Sequence, residues 1–363
     1  MKGAAANGVD ADGVDANDVA TNAVVLRAGP FSAQIERRLL VSSLILTAVI
    51  LVLAVAALCR GDSWDSPGEV LAALAGYGDS VLVVREWRLP RVAAAIVFGA
   101  SLGAAGAIFQ NLTRNALGSP DVIGLDAGAY TGVLIAITVF GGTAAGLALG
   151  SLAGGLLAAA AIYLLSLRQG LSGIRLIVIG IAANAMLTAL NSWIVLRAEL
   201  DVAIAATGWS AGSLNGLDWN ELRLPFLIIG ALAVLLAFLS RAMHQSALGD
   251  EVAATSGVHL GRFRLLIVLA GVGCTAAVTS AAGPIVFVAL AAPQIGRRLA
   301  GAAGVPPLPA ALTGALLLLA ADLAAQTVLA PVQLPVGVVT TAIGGTYLIW
   351  LLVKEVRAKE MRA

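Results

Sequence analysis

The side chains able to do covalent or proton chemistry are few and poorly placed for it. His244 and His259 are the only histidines. Both fall in one polar stretch, where a histidine is ordinarily solvated. Cys59 and Cys274 lie in or beside apolar runs and have no metal or redox spacing. They read as small buried hydrophobes. The three lysines, Lys2, Lys354 and Lys359, lie outside any GxxxxGK[ST] setting, so the chain has no P-loop with which to hold a nucleotide. No catalytic constellation, cofactor site or metal site is visible. What stands out instead is polar groups inside apolar sequence. Asp126 and Asp322 sit where a charge is costly and therefore suspect: Asp126 is expected to face the bundle or the inner interface, and Asp322 marks either a functional site or a structural partner inside the bundle. Asn184 and Asn191, seven residues apart, share one helix face. They either line a path or hydrogen-bond to a neighbouring helix.

The elements that must position these groups are membrane spans. Of the 363 residues, 59% are hydrophobic and 12% charged, with a mean hydropathy of +0.94. A soluble chain has roughly 45–50% apolar and about 25% charged residues, so both departures point to a polytopic membrane protein. A net charge of +1 gives no footprint for nucleic acid. The run Leu39–Leu58 is twenty residues long, which at helical rise spans about 30 Å, the thickness of the hydrocarbon core. Nine further apolar runs are expected at about 92–110, 122–140, 144–166, 174–196, 224–240, 265–282, 285–299, 308–330 and 336–353, giving ten transmembrane helices in an all-α fold. The seventh and eighth are separated only by the short Gly283-Pro284 break. Trp64, Tyr77 and Trp87 in the first loop suit the headgroup level.

With both termini in the cytoplasm, sixteen of the 22 basic residues fall on the inner side and six outside, as the positive-inside rule requires. The outer exceptions cluster around Arg85, Arg88 and Arg91. Residues 1–36, rich in Gly, Ala, Asn and Asp, are expected to be a disordered cytoplasmic tail. Residues 37–355 form the membrane domain and 356–363 a short cytoplasmic tail. Gly99/Gly103 and Gly146/Gly150 have the spacing that lets helices approach closely in lipid. In the longest inner connection, Gly249 and Gly257 bracket a short helix-forming run, about 247–258, suited to lie across the cytoplasmic face.

The order and spacing of several motifs resemble the permease subunits of ABC importers for iron–siderophore complexes, haem and cobalamin. The matching pieces are Arg88-Leu-Pro-Arg91, Gln110 with Arg114-Asn115, Pro120, Gly124, Leu248-Gly249, Ala253 and Gly257-Val258. Gly283-Pro-Ile-Val-Phe287, Pro293, Arg297, Gly314, Ala321-Asp322 and Leu334-Pro-Val-Gly337 follow, so the similarity covers roughly residues 40–355. The resemblance implies the ten-helix type II importer architecture. It also implies a second permease, identical or different, and a pair of ATPase subunits that carry the ATP and Mg. A periplasmic or lipid-anchored substrate-binding protein would deliver cargo to the bacterial cytoplasmic membrane, most commonly a ferric siderophore. By the same resemblance, Arg88 and Arg91 grip carboxylates of the binding protein. Leu248, Gly249, Asp250, Glu251, Ala253 and Gly257 belong to the coupling element that fits the ATPase. Asn115 and Leu117 narrow the inner end of the path, and Asn184 and Asn191 are candidates to line it.

The chain departs from the pattern at Gln326, where the family has an outer arginine four residues after Asp322. It also departs at Asn115-Ala116, Pro293-Gln294 and Gly345-Thr346. The rival from another class is an ion-coupled secondary transporter, which would want buried charges near mid-membrane. Asp126 and Asp322 are all that the spans offer it. An intramembrane enzyme would need a constellation that is not there.

Overall fold

The computed structural model describes residues 23–28, 31–61, 64–121, 123–167, 173–302 and 304–360. Residues 1–22 and 361–363, parts of the two expected tails, lie outside the described residues. The rest of the expected N-terminal tail is not featureless. Strands β1 (Ala23–Ala28) and β2 (Phe31–Glu36) pair antiparallel, with Ala23 opposite Glu36 and Ala28 opposite Phe31. The sequence there turns from Gly/Asn/Asp to β-branched and aromatic residues, which suit a strand. At the other end, helix continues to Glu360, into the expected C-terminal tail.

The remainder is helical. In chain order the helices are α1 (Arg37–Cys59), α2 (Pro67–Ala75), α3 (Leu89–Thr113), α4 (Leu125–Phe140), α5 (Ala144–Leu167), α6 (Gly173–Arg197), α7 (Leu200–Ser210), α8 (Trp219–Ala247), α9 (Asp250–Thr255), α10 (Leu260–Ala282), α11 (Val288–Ala300), α12 (Pro307–Thr327) and α13 (Val336–Glu360). Each expected span coincides with one of these. By length and composition, seven helices among the described residues are able to cross a membrane, while Leu125–Phe140 and Val336–Trp350 are apolar but shorter. Helix α11 is shorter still, at 13 residues, about 20 Å of rise. The count of ten is therefore not established by length alone. The eighth expected span is short because the chain breaks at Gly283 (φ 71°) and Phe287 (φ 70°) before α11 begins.

The core sits around α3 and α10, of whose span windows 72% and 67% are buried, against 11% for α1 and α6. Small residues make this possible. A Cβ added at Gly99 would sit 2.4 Å from the Gly314 carbonyl oxygen, and one at Gly103 would sit 2.2 Å from that of Ala310. The backbones of α3 and α12 therefore touch directly, the contact that packs helices in lipid. A second crossing joins α4 to α5, where a Cβ at Gly132 would lie 1.9 Å from the Gly150 carbonyl oxygen. Gly146, the other half of that predicted pair, has only Thr143 Oγ1 beside it, at 3.0 Å. Large side chains fill what remains: Phe98 and Phe109 are essentially inaccessible, and Phe98 meets Phe226 edge-on at 5.8 Å.

Candidate functional site

At the end of the bundle expected to face outward, a π-helical turn, Val83–Arg88, runs straight into α3. It carries Arg88 and Arg91 three residues apart, and so on one face. Helix α2 is set beside it by a capping box: Ser66 Oγ accepts from the Glu69 N–H and the Glu69 carboxylate accepts from the Ser66 N–H. Arg85 donates to the Leu74 carbonyl and Trp219 Nε1 to the Arg85 carbonyl at 2.9 Å, so α2, the turn and α8 are tied together. Trp64, Tyr77 and Trp87 are exposed around this rim.

Neither arginine of the predicted docking pair is loose. Arg88 Nη1 donates to Asp65 at 2.5 Å and to the Leu58 carbonyl at 2.9 Å. A Cβ at Gly61 would lie 2.1 Å from Arg88 Nη2, so a larger residue there would push the guanidinium aside. Arg91 meets Asp322 side-on, with Nε 3.0 and 3.1 Å from the two carboxylate oxygens and Nη2 2.9 Å from Oδ1. Its Nη1 donates to Gln333 Oε1 at 2.9 Å. Asp322 is fully buried, whereas the Arg91 side chain is 14% exposed. Gln326, the departure noted above, donates to Asp322 Oδ2 at 2.8 Å. Of the two readings of Asp322, the geometry therefore gives the ion pair. Arg88, Arg91, Glu86, Asp218, Gln326 and Gln333 line a polar cleft of about 1080 Å³. Asp218 caps α8. The Glu221 N–H bonded to its carboxylate, helped by Asn220 and Arg223, holds that carboxyl below the usual range against a small opposing effect of burial.

At the opposite end, expected to face inward, α3 stops at Arg114, which takes a left-handed conformation (φ 50°) and returns its N–H to the Gln110 carbonyl. Asn115 Oδ1 then accepts the Leu117 N–H at 3.0 Å, an Asx turn. Asn115 and Leu117 are exposed, while Gly118, Ser119 and Pro120 turn back into the protein. Asp121 closes the loop against the α10–α11 break, its Oδ2 accepting the Phe287 N–H at 3.2 Å. Burial pushes the Asp121 carboxyl well above its usual range, and Asp126 nearby adds to the rise. The pair Gln110 and Gln294 is buried beneath: Gln294 Nε2 donates to Gln110 Oε1 at 2.5 Å, and Gln110 Nε2 to the Leu290 carbonyl at 3.0 Å. The departure Pro293-Gln294 thus completes a satisfied polar link between α3 and α11.

The two asparagines of α6 face the same neighbour. Gly124, at the foot of α4, packs on Asn184, where a Cβ would approach Asn184 Cβ to 2.8 Å. Asn191 is buried, donates to the Ala127 carbonyl at 3.0 Å and accepts from Thr131 Oγ1 at 2.7 Å. Asn191 therefore joins α6 to α4. The predicted short inner helix is α9, with Gly249 (φ 130°) and Gly257 (φ 87°) at its ends. Leu248 and Val252 are 74% and 44% exposed, whereas Ala253 is fully buried. Glu251 and Gly257 are also exposed. Asp250 turns inward, with Oδ1 3.3 Å from Arg114 Nη2 and Oδ2 2.7 Å from Arg264 Nη2.

Sequence reasoning missed Asp121 as the loop's anchor and Arg264 as a partner of Asp250. Asp121 carried one signal, an acid following a proline in a polar loop. Phe287 carried none, because its residue type rarely takes a positive φ. Among the described residues no group of three or more His, Cys, Asp or Glu lies close enough to hold a metal ion.

The FecCD transport family matches residues 45–354. Over 327 residues the chain is 47% identical to the ferric enterobactin transport system permease protein FepG of Escherichia coli (strain K12), covering 90% of this chain and 99% of that protein. It is 36% identical to the iron(3+)-hydroxamate import system permease protein FhuG of Bacillus subtilis (strain 168), covering 80% of this chain and 89% of that one. It is 34% identical to the vitamin B12 import system permease protein BtuC of Salmonella paratyphi A, covering 90% and 99%. A solved structure, described as an inward-facing conformation of a metal-chelate type ABC transporter, superposes with a TM-score of 0.76 at 26% identity, covering 86% of this chain and 98% of that one.

Proposed function

This chain belongs to the FecCD transport family and is a multi-pass permease subunit of an ABC importer; from that premise we propose that it carries a ferric siderophore across the bacterial inner membrane. The observation that carries the cargo is the near-full-length similarity to a ferric enterobactin permease, with iron-hydroxamate and iron-citrate permeases among the other relatives. An apolar bundle with no hydrolytic constellation suits a conduit driven from outside itself. ATP is hydrolysed by partner subunits that take the exposed face of α9, chiefly Leu248, Glu251 and Val252. A second permease, identical or different, completes the path, and both termini lie in the cytoplasm. Asn115 and Leu117 narrow the inner exit.

The outer cleft receives the binding protein. Guanidinium groups recognise carboxylates by paired hydrogen bonds. Arg91 is held in place by the buried Asp322, while Arg88 has a partner, Asp65, that is 20% exposed and open to exchange. Such pre-orientation lowers the ordering cost of docking. The secondary-transporter alternative is not favoured, because the relatives are transport-system permeases, a solved ABC transporter superposes on the chain, and the buried Asp322 is already paired with Arg91.

The test is uptake of radio-iron as a ferric siderophore by cells expressing the chain with its neighbouring ATPase and binding-protein genes. Uptake should stop when ATP is depleted. Uptake that persists on a proton gradient alone would refute ATP-driven import, and cobalamin uptake without siderophore uptake would refute the cargo. Arg88→Glu with Arg91→Glu should weaken capture of the binding protein; unchanged capture at low salt would remove the docking role.

A further inference from the structure

Resting on that reading, we propose that Asp250 and Arg114 form the strut through which movement of α9 reaches the inner gate, so that Asp250 acts inside the permease and not on the surface that meets the ATPase. Helix α9 is a single short turn and a half, too short to hold itself in place by its own hydrogen bonds. It is fixed from below. Ala253 is fully buried, and Val258, just past the helix, packs on the cluster of Ile108, Met243, Phe263 and Ile267 drawn from α3, α8 and α10.

Above that apolar seat, one carboxylate joins three elements. Asp250 at the start of α9 holds Arg114 at the end of α3 and Arg264 near the start of α10. The three side chains line the same small cavity. Arg114 is also where the chain leaves α3, and the next residues, Asn115 to Leu117, are the Asx turn. Any tilt of α9 is therefore delivered one residue from the gate. At its far end the same loop is held by Asp121 on the Phe287 N–H, so a pull on Arg114 swings the Asn115–Leu117 segment about a fixed point.

The exposure of the strut argues for a moving part. The Arg114 side chain is 63% exposed and that of Asp250 45%, and an ion pair in such a setting contributes little to stability. A contact of that kind breaks and re-forms at little cost. A buried pair like Arg91–Asp322 does not.

The experiment uses the assembled importer, permease with its ATPase and binding protein, in proteoliposomes, and reads cargo taken up per ATP hydrolysed. Arg114→Gln should leave the ATPase bound and lower that ratio by about fivefold, the lower end of coupling between sites. Asp250→Asn should lower it equally, and Asp250→Glu and Arg114→Lys, which keep the charges, should restore most of it. A second readout is thiol labelling of Leu117→Cys with and without ATP, against a low background because both native cysteines are buried. ATP should change the labelling rate in an otherwise unaltered chain and should cease to do so with Arg114→Gln. Loss of the ATPase from the Asp250→Asn complex would overturn the proposal, because Asp250 would then be a docking residue. An unchanged uptake ratio with ATP-dependent labelling intact would overturn it as well. An unsubstituted complex that neither retains an ATPase nor needs ATP for uptake would instead refute the function on which the proposal rests.

Discussion

Removing Arg91 should damage the protein more than removing Arg91 and Asp322 together. Arg91→Ala strips away three hydrogen bonds of 2.9–3.1 Å to Asp322 and with them the only cation placed on that carboxylate among the described residues. It leaves a fully buried carboxylate with the Gln326 amide as its remaining partner among the described residues. Breaking a buried pair from one side costs about 3–5 kcal/mol, because the surviving charge stays desolvated. Asp322→Ala is milder. Arg91 is at the lip of the cleft, keeps Gln333 and can turn to water, so the loss is that of hydrogen bonds to a charged group, about 1.5–3 kcal/mol. With both removed, no charge is stranded, and replacing an ion pair by apolar groups is often near neutral. The two substitutions should therefore be strongly non-additive, with the double variant the more stable of the two that lack Arg91. The assay follows from the sequence. The chain has two cysteines and both are buried, so a thiol-reactive dye reports unfolding of the detergent-solubilised protein during heating. The lowest melting temperature should belong to Arg91→Ala. A double variant that melts below Arg91→Ala, by the sum of the single effects, would refute the argument that Asp322 is a desolvated charge held by Arg91.

The helix crossings give a second contrast. Gly103→Val places atoms where 2.2 Å separates a Cβ from the Ala310 carbonyl oxygen, forcing α3 and α12 apart at a cost of about 1–3 kcal/mol or more. Gly230→Ala, at a mid-helix position with open space around it, should instead stabilise by about 0.5–1 kcal/mol in the same melting assay. Asn191→Leu should cost about 0.6–2 kcal/mol through loss of its bonds to Ala127 and Thr131; an unchanged melting temperature would return Asn191 to the path. For Asp218, the folded carboxyl lies below its unfolded value, so its cap contributes above the unfolded pKa and fades as pH falls through the lower, folded one. Asp218→Ala should melt below the unsubstituted protein near neutral pH, and the gap should close in acid below about pH 4.

Much of the fold was legible because lipid leaves the backbone few choices. With no water to satisfy N–H and C=O groups, an apolar run of sufficient length is a helix, and every expected span coincides with one. The ordered motifs gave the family. The pairing of residues 23–28 with 31–36 was not legible, because a tail rich in Gly, Asn and Asp hides where its composition turns toward strand formers. The short helix Val288–Ala300 was harder to read. Its start is set by a phenylalanine at positive φ, held by Asp121 from a loop far away in the chain, and no local pattern announces a partner at that distance.

The sequence by itself therefore determined that this is a membrane-embedded helical permease, because composition, run length and motif order are properties of the chain taken one stretch at a time. It did not determine what the polar residues within those stretches are for. Asp322 and Asn191 each allowed a functional and a structural reading, and only the packing of α12 on α3 and of α6 on α4 supplied the hydrogen-bond partners that support the structural one. The physical reason is desolvation. A charge or amide in a bundle takes its role from whatever stands within hydrogen-bond reach once water is gone, and that neighbour is fixed by the tertiary structure.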